Sequence, residues 1–189
     1  MLKPKKKWII LDTQPVMRQK SSLLTFPLTK DDLTNIEKMQ TYIDASYNGE
    51  DKKYHIRPGI GISACQIGWG KQVIYMHLTS DGVERQLLIA NPEIVSYSKQ
   101  VAYLSSGEGC LSTLKVHDGI VPRKSKIVVE AIDLLADING QKKITIEADG
   151  LFGICLQHEI DHLSGIMFYD HINKTNPWHT QDDWKSIVR

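Results

Sequence analysis

The stretch Gln157-His158-Glu159-Ile160-Asp161-His162-Leu163-Ser164-Gly165 is the most informative in this chain. His158 and His162 stand four apart with Glu159 directly after the first, the H-E-x-x-H pattern of metal-dependent hydrolysis. On a helix, positions i and i+4 share a face, so the two imidazoles reach one cation. Glu159 lies about 100° further round, off the ligand face but close enough to an activated water to take its proton. The surrounding residues favour this reading over a solvated surface helix. On a wheel of about 100° per residue, Leu151, Ile154 and Cys155 fall in the stripe of His158 and His162. Phe152, Leu156 and Leu163 form a second apolar stripe, and only Gln157 and Asp161 make a polar edge. A helix apolar over most of its circumference is buried, and buried histidines beside a carboxylate need strong partners. Asp149 is placed to cap the helix at its start, and Gly165 to stop it.

Upstream of this helix the periodicity is mostly that of strands. Val73-Ile74-Tyr75-Met76-His77-Leu78 is followed by a turn at Ser80-Asp81-Gly82 and by Leu87-Leu88-Ile89-Ala90. Ile94 to Tyr97, Val101 to Leu104, Ile127 to Ile132 and Lys143 to Ile146 continue the pattern, with Asn139-Gly140 as a hairpin-type turn. One earlier helix is expected after Thr29, where Leu33, Ile36, Met39, Gln40 and Ile43 recur at three-to-four spacing. Thr29 with Asp32 resembles a capping pair, and Asn48-Gly49 ends the run. Gly49 to Arg57 reads as a polar loop, and a polar tail with Trp178 and Trp184 closes the chain. The expected class is α+β: an N-terminal helix and mostly antiparallel sheets around a buried C-terminal metal-binding helix.

With 189 residues and no low-complexity linker, one domain spanning 1–189 is expected, large enough to bury a real core. A formal net charge of +1 provides no global field for nucleic acid or membranes. Lys3, Lys5, Lys6 and Lys7 make a short basic start, but the run Trp8 to Leu11 stops at Asp12, too soon for a signal or spanning segment. Such a start is at most weak support for proximity to ribosomal RNA. The three cysteines, Cys65, Cys110 and Cys155, form no disulfide framework and fit a reducing cytoplasm. His55, His77, His117, His171 and His179 read as surface or loop residues without a role.

Two histidines leave a tetrahedral metal one protein ligand short of the usual three. Downstream, His171 and His179 match no extended protease spacing. Upstream, Glu108-Gly109-Cys110-Leu111-Ser112 is a polar loop after a strand, in which Gly109 gives the backbone freedom to turn a side chain inward. Cys110 taken alone reads as a small buried hydrophobe. A third segment, Gly59-Ile60-Gly61-Ile62-Ser63-Ala64-Cys65-Gln66-Ile67-Gly68, contains G-x-G-x-x-A, but lacks the strand–helix unit and later acidic residue that dinucleotide binding requires.

Together, in this order, the glycine-rich segment ending at Gln66, the Glu108–Ser112 loop and the His158–His162 helix resemble the peptide deformylase family. The likeness runs from about Arg57 to Asp170, and the longer segments before Gly59 and after Ser112 resemble its type 2 form. The resemblance implies Cys110, His158 and His162 as metal ligands and Glu159 as general base. It implies the Gln66 amide and the Leu111 backbone N–H as donors to the formyl oxygen. Ile60 and Gly61 match the strand edge that pairs with substrate, and Ile60, Leu151, Ile154 and Cys155 match the methionine pocket. Arg123 matches a substrate-side arginine. Ser63 stands where the family usually has alanine, and a slight effect on packing is expected of it.

The implied reaction is removal of the formyl group from the N-terminal formyl-methionine of nascent peptides, releasing formate, by a cytoplasmic enzyme. The implied cofactor is one divalent ion, Fe2+ in vivo, with Zn2+, Ni2+ or Co2+ in preparations. Two rivals use the same helix. A zincin-type endopeptidase leaves the Glu108–Ser112 loop without a role. A non-catalytic metal-binding module for peptide N-termini leaves Glu159 and Gln66 without one.

Overall fold

The computed structural model describes residues 2–188. Strands β1 (Gly61–Ser63), β2 (Val73–Ser80), β3 (Val83–Tyr97), β6 (Lys126–Asp133) and β7 (Lys143–Asp149) form one sheet in the order β1-β2-β3-β6-β7. Every pairing in it is antiparallel. Helix α1 (Lys30–Tyr47) and helix α3 (Gly150–Leu163) lie on opposite faces of this sheet. The alternation of strand side chains explains why both faces are covered. On β2, Val73 and Tyr75 join a cluster with Ile36, Met39 and Ile43 of α1. Ile74, Met76 and Leu78 join the opposite cluster with Phe152, Leu156 and Leu163 of α3. Each such large apolar side chain contributes about 1.5–3 kcal/mol when fully buried, so α3 is anchored by its second stripe and its histidine stripe is held in place.

Helix α1 starts where its cap predicts. Asp32 N donates to Thr29 Oγ1 at 3.1 Å, and Thr29 N donates back to the Asp32 carboxylate at 2.8 Å. Helix α3 begins after Asp149, whose side chain makes no capping hydrogen bond. It ends through Ser164 and Gly165, where φ is +74° and a Cβ would lie 2.6 Å from the Arg18 carbonyl carbon.

Four features differ from the sequence expectation. The two segments Leu87–Ala90 and Ile94–Tyr97 belong to one long strand, β3, whose register shifts between Ala90 and Glu93. Asn91 there has φ +52° and precedes Pro92, which has no N–H to give to a ladder. The Asn91 side chain is used instead to hold Leu24, accepting from its N–H and donating to its carbonyl at 2.8 and 3.0 Å. The expected loop at 49–57 contains a short helix, α2 (Asp51–Tyr54), with too few residues to show apolar periodicity. The polar tail supplies β8 (Lys185–Ile187), which pairs in parallel with β4 (Val101–Leu104) beside β5 (Arg123–Lys124).

His77 is the fourth. It is buried rather than exposed, because it continues the Val73-Tyr75 face toward α1. Its two ring nitrogens lie 2.7 Å from Asp44 and 2.9 Å from Glu84, and its ring stacks on Tyr47. Among the described residues, no helix is long and apolar enough to cross a membrane.

Candidate metal centre

His158 and His162 project from one face of α3 with ring centroids 4.8 Å apart, as i and i+4 dictate. The loop between β4 and β5 brings Cys110 to them, and one ligand atom from each of the three lies within 4.8 Å of the others. All three residues are buried. Cys110 Sγ is 3.3 Å from His162 Nε2. Tetrahedral bonds of ordinary length to one metal would place a sulfur and a nitrogen about 3.5 Å apart, so this donor set fits a single cation. His158 turns its Nδ1 to Glu108 at 2.8 Å, which leaves Nε2 for the metal. Burial pulls the His162 imidazole well below its ordinary pKa.

Around these residues stands a chain of buried and half-buried ionisable groups that the sequence reading did not foresee. Arg123 Nε and Nη2 grip the two Glu108 carboxylate oxygens at 2.8 and 2.9 Å, and Nη1 donates to Asp161. Asp161 in turn meets His171 Nε2 at 2.8 Å. Burial alone would push the Glu108 carboxyl up, but Arg123, followed by His158, holds it down at about 2. This corrects the expectation for Arg123. Its side chain is 4% exposed, it is not among the residues lining the cavity in front of Cys110, and its guanidinium is the buried counter-ion of the carboxylate that meets His158. Glu108 stood in the quoted loop two residues before Cys110, but local spacing does not reveal a partner fifteen residues on. Glu108→Gln keeps the shape and removes the charge. It is expected to lower metal affinity about 10–100-fold, as loss of a partner to a ligating histidine does, measured by competition with a chromogenic chelator.

Gln66 sits in the 3-10 turn Ala64–Ile67 that follows β1. Ser63 N donates to its Oε1 at 2.8 Å, while its Nε2 points to Ser112 Oγ at 3.2 Å and Cys110 Sγ at 3.4 Å. The amide is thereby oriented with its N–H side toward Cys110. Arg57, which sequence reasoning assigned no role, donates from Nη1 to the carbonyls of Leu111 and Thr113 and so pins the backbone next to Cys110. Cys65 is buried behind the site, and burial, then the charges of Glu159 and Cys110, push its thiol up to about 12. Its Sγ donates to the backbone carbonyl of His162 at 3.5 Å.

Glu159 is 5% exposed. Burial raises its carboxyl above the ordinary range, with the His158 charge and a hydrogen bond from Ser63 working against the rise. The Ser63 hydroxyl therefore does more than pack: it lies 2.7 Å from Glu159 Oε2. A cavity of about 160 Å³ opens in front of Cys110, His158 and Glu159. Ile60, Gly61, Leu151, Ile154 and Cys155 line it, together with Leu104 of β4. Gly61 is the first residue of β1, the outermost strand of the sheet.

A buried cysteine–histidine ligand set, a carboxylate beside it and a cavity that is part polar and part apolar fit a metal-dependent hydrolase. The sequence profile of the polypeptide deformylase family matches residues 6–178, and the chain belongs to that family. It is 48% identical over 186 residues to the peptide deformylase of Mycoplasma pneumoniae, covering 98% of this chain and 84% of that one. It is 40% identical over 183 residues to peptide deformylase 2 of Bacillus cereus, covering 96% and 97%. Among solved structures, it is similar to the peptide deformylase of Thermus thermophilus, with TM-score 0.69, 27% identity and coverage of 93% and 88%. The Synechococcus elongatus peptide deformylase in complex with actinonin also matches, with TM-score 0.69, 27% identity and coverage of 88% and 78%. The family and the fold are those expected from the three motifs, and the chain is a peptide deformylase-type hydrolase that removes N-formyl groups from new polypeptides.

Proposed function

We propose that Cys110, His158 and His162 hold one divalent ion, ferrous in the cell, and that Glu159, Gln66 and Leu111 carry out deformylation around it. The observation that carries this reading is the meeting of Cys110, His158 and His162 beside a cavity lined by Cys110, His158, Glu159 and Gly61, the first residue of the outermost strand of the sheet. When bound, the cation supplies Lewis acidity, making hydroxide available near neutral pH. Glu159 accepts the proton of the attacking water and returns it to the leaving nitrogen, which must be protonated to depart. The Gln66 amide and the Leu111 N–H donate to the formyl oxygen as it becomes anionic, each typically contributing a few kcal/mol in such sites.

The peptide adds to the outer edge of β1 at Ile60 and Gly61 by backbone pairing, which tolerates many sequences. Its methionine enters the cavity between Ile60, Leu151, Ile154 and Cys155, which selects the first side chain. Zinc, nickel or cobalt would replace iron in some preparations, because imidazole and thiolate ligands accept all of them. A sulfur-ligated ferrous site exposed to oxygen is open to oxidation of the ligand itself. Residues 1–189 read as one catalytic domain, working in the cytoplasm near ribosomes where formylated chains emerge.

The decisive assay compares formate release from formyl-Met-Ala-Ser with cleavage of casein, using iron- or nickel-loaded protein. One formate per substrate and intact casein are expected; cleaved casein without formate supports an endopeptidase, and neither product supports a binding module. Metal analysis of anaerobically prepared protein tests the ferrous assignment.

Gly61 gives a sharper geometric test. A Cβ there would lie 2.9 Å from Glu159 Oε1, the movable end of a side chain, so an alanine folds at little cost but displaces the base. Gly61→Ala is expected to keep its melting temperature within about 3 °C, a shift of under about 1 kcal/mol. Its turnover should fall roughly 10²-fold, the penalty of an ångström-scale misplacement. Wild-type turnover would show that the carboxylate's position against β1 is not needed.

A further inference from the structure

Ser63 ends β1 fully buried, facing α3. Its Oγ lies 2.7 Å from Glu159 Oε2 and 2.8 Å from the backbone carbonyl oxygen of the same residue. A hydroxyl has one hydrogen to donate, and these two acceptors hold it over a single residue of the metal helix. The other carboxyl oxygen is confined differently. Oε1 rests against the bare Cα of Gly61 on the cavity wall, where no side chain intervenes.

We propose that Ser63 is a positioning residue for deformylation: it fixes Glu159 Oε2 and leaves Oε1 as the oxygen that exchanges the proton. While Glu159 is a carboxylate, Oε2 accepts from Ser63. Once Oε1 has taken the proton from water, Oε2 is the carbonyl oxygen of the acid and still accepts the same hydrogen bond. The carboxyl plane therefore stays put while the proton is held, and Oε1 returns it to the leaving nitrogen from the same place. Ordered geometry of this kind acts on the chemical step rather than on substrate binding. The inference rests on Glu159 being the base.

The test uses the nickel-loaded full chain and formyl-Met-Ala-Ser. Ser63→Ala is expected to lower kcat about tenfold, which is about 1.4 kcal/mol, with KM within about twofold and bound metal unchanged. Ser63→Thr retains the hydroxyl on a strand that suits a β-branched residue, and is expected to return kcat to within about threefold of wild type. A wild-type kcat for Ser63→Ala overturns the inference. So does an equal loss in Ser63→Thr, a loss confined to KM or a loss of metal, each of which assigns Ser63 to packing. Glu159→Ala measured alongside separates this from the underlying reading. If Glu159→Ala turns over like wild type, the base assignment itself fails. If it is inactive while Ser63→Ala is not impaired, only the role of Ser63 fails.

Discussion

Glu159→Ala is expected to retain its metal and to lose formate release by about 10³-fold, within the range that general acid–base catalysis contributes. Three observations set this expectation apart from a general loss of structure. Glu159 is not within the ligand set of Cys110, His158 and His162, so the cation's protein donors remain. The Ser63 hydroxyl loses Oε2 but keeps the backbone oxygen of residue 159 at 2.8 Å, so no buried donor is orphaned. Burial raises the Glu159 carboxyl in the folded protein, which means that its charge is held there at a cost. Removing a carboxyl whose charge folding disfavours leaves stability unchanged or improved, the trade commonly found where activity requires a strained group. Steady-state formate release, metal analysis and a thermal melt check all three parts. Turnover within about tenfold of wild type would remove Glu159 as the base.

Cys110→Ser is expected to release the metal on dialysis. The substitution keeps a small side chain that can still accept from Gln66 Nε2 and Ser112 N, which face the sulfur at 3.4 Å. What it removes is a soft anionic ligand, replaced by a neutral hydroxyl that binds transition metals poorly. The expected loss of affinity exceeds about 100-fold, the upper end for removal of an outer partner of a ligand. Activity should fall in proportion to bound metal and return in part with excess metal in the assay. Full metal content after dialysis would take Cys110 out of the ligand set.

Much of the site is legible in the chain because it is local. The i, i+4 spacing of His158 and His162 specifies one helical face, whatever the rest of the fold does. The capping pair Thr29 and Asp32 sets the start of α1 from within three residues. β2 shows in the chain as a nearly unbroken apolar run, and the two helices that cover it explain why both of its faces are apolar. Where the sequence misled, the deciding contact was distant or the local signal was weak. Lys185, Ser186 and Ile187 look like a polar tail until β4 offers them an edge. His77 reads as a surface or loop residue until Asp44 and Tyr47 of α1 arrive above it.

By itself, the sequence determined the helix that carries the histidines, the alternating strands and, through three ordered motifs, the family. These depend on periodicities and spacings written within a few residues, and neighbouring atoms enforce them in any compact state. Only the tertiary structure decided what each charged group faces. It turned Arg123 from the substrate side to a buried partner of Glu108 and Asp161, and joined Ser63 to Glu159 across 96 residues of chain. Buried charges and hydroxyls take whichever partner packing brings within reach, because leaving them unpaired costs several kcal/mol. Packing across the sheet, rather than spacing along the chain, sets that choice.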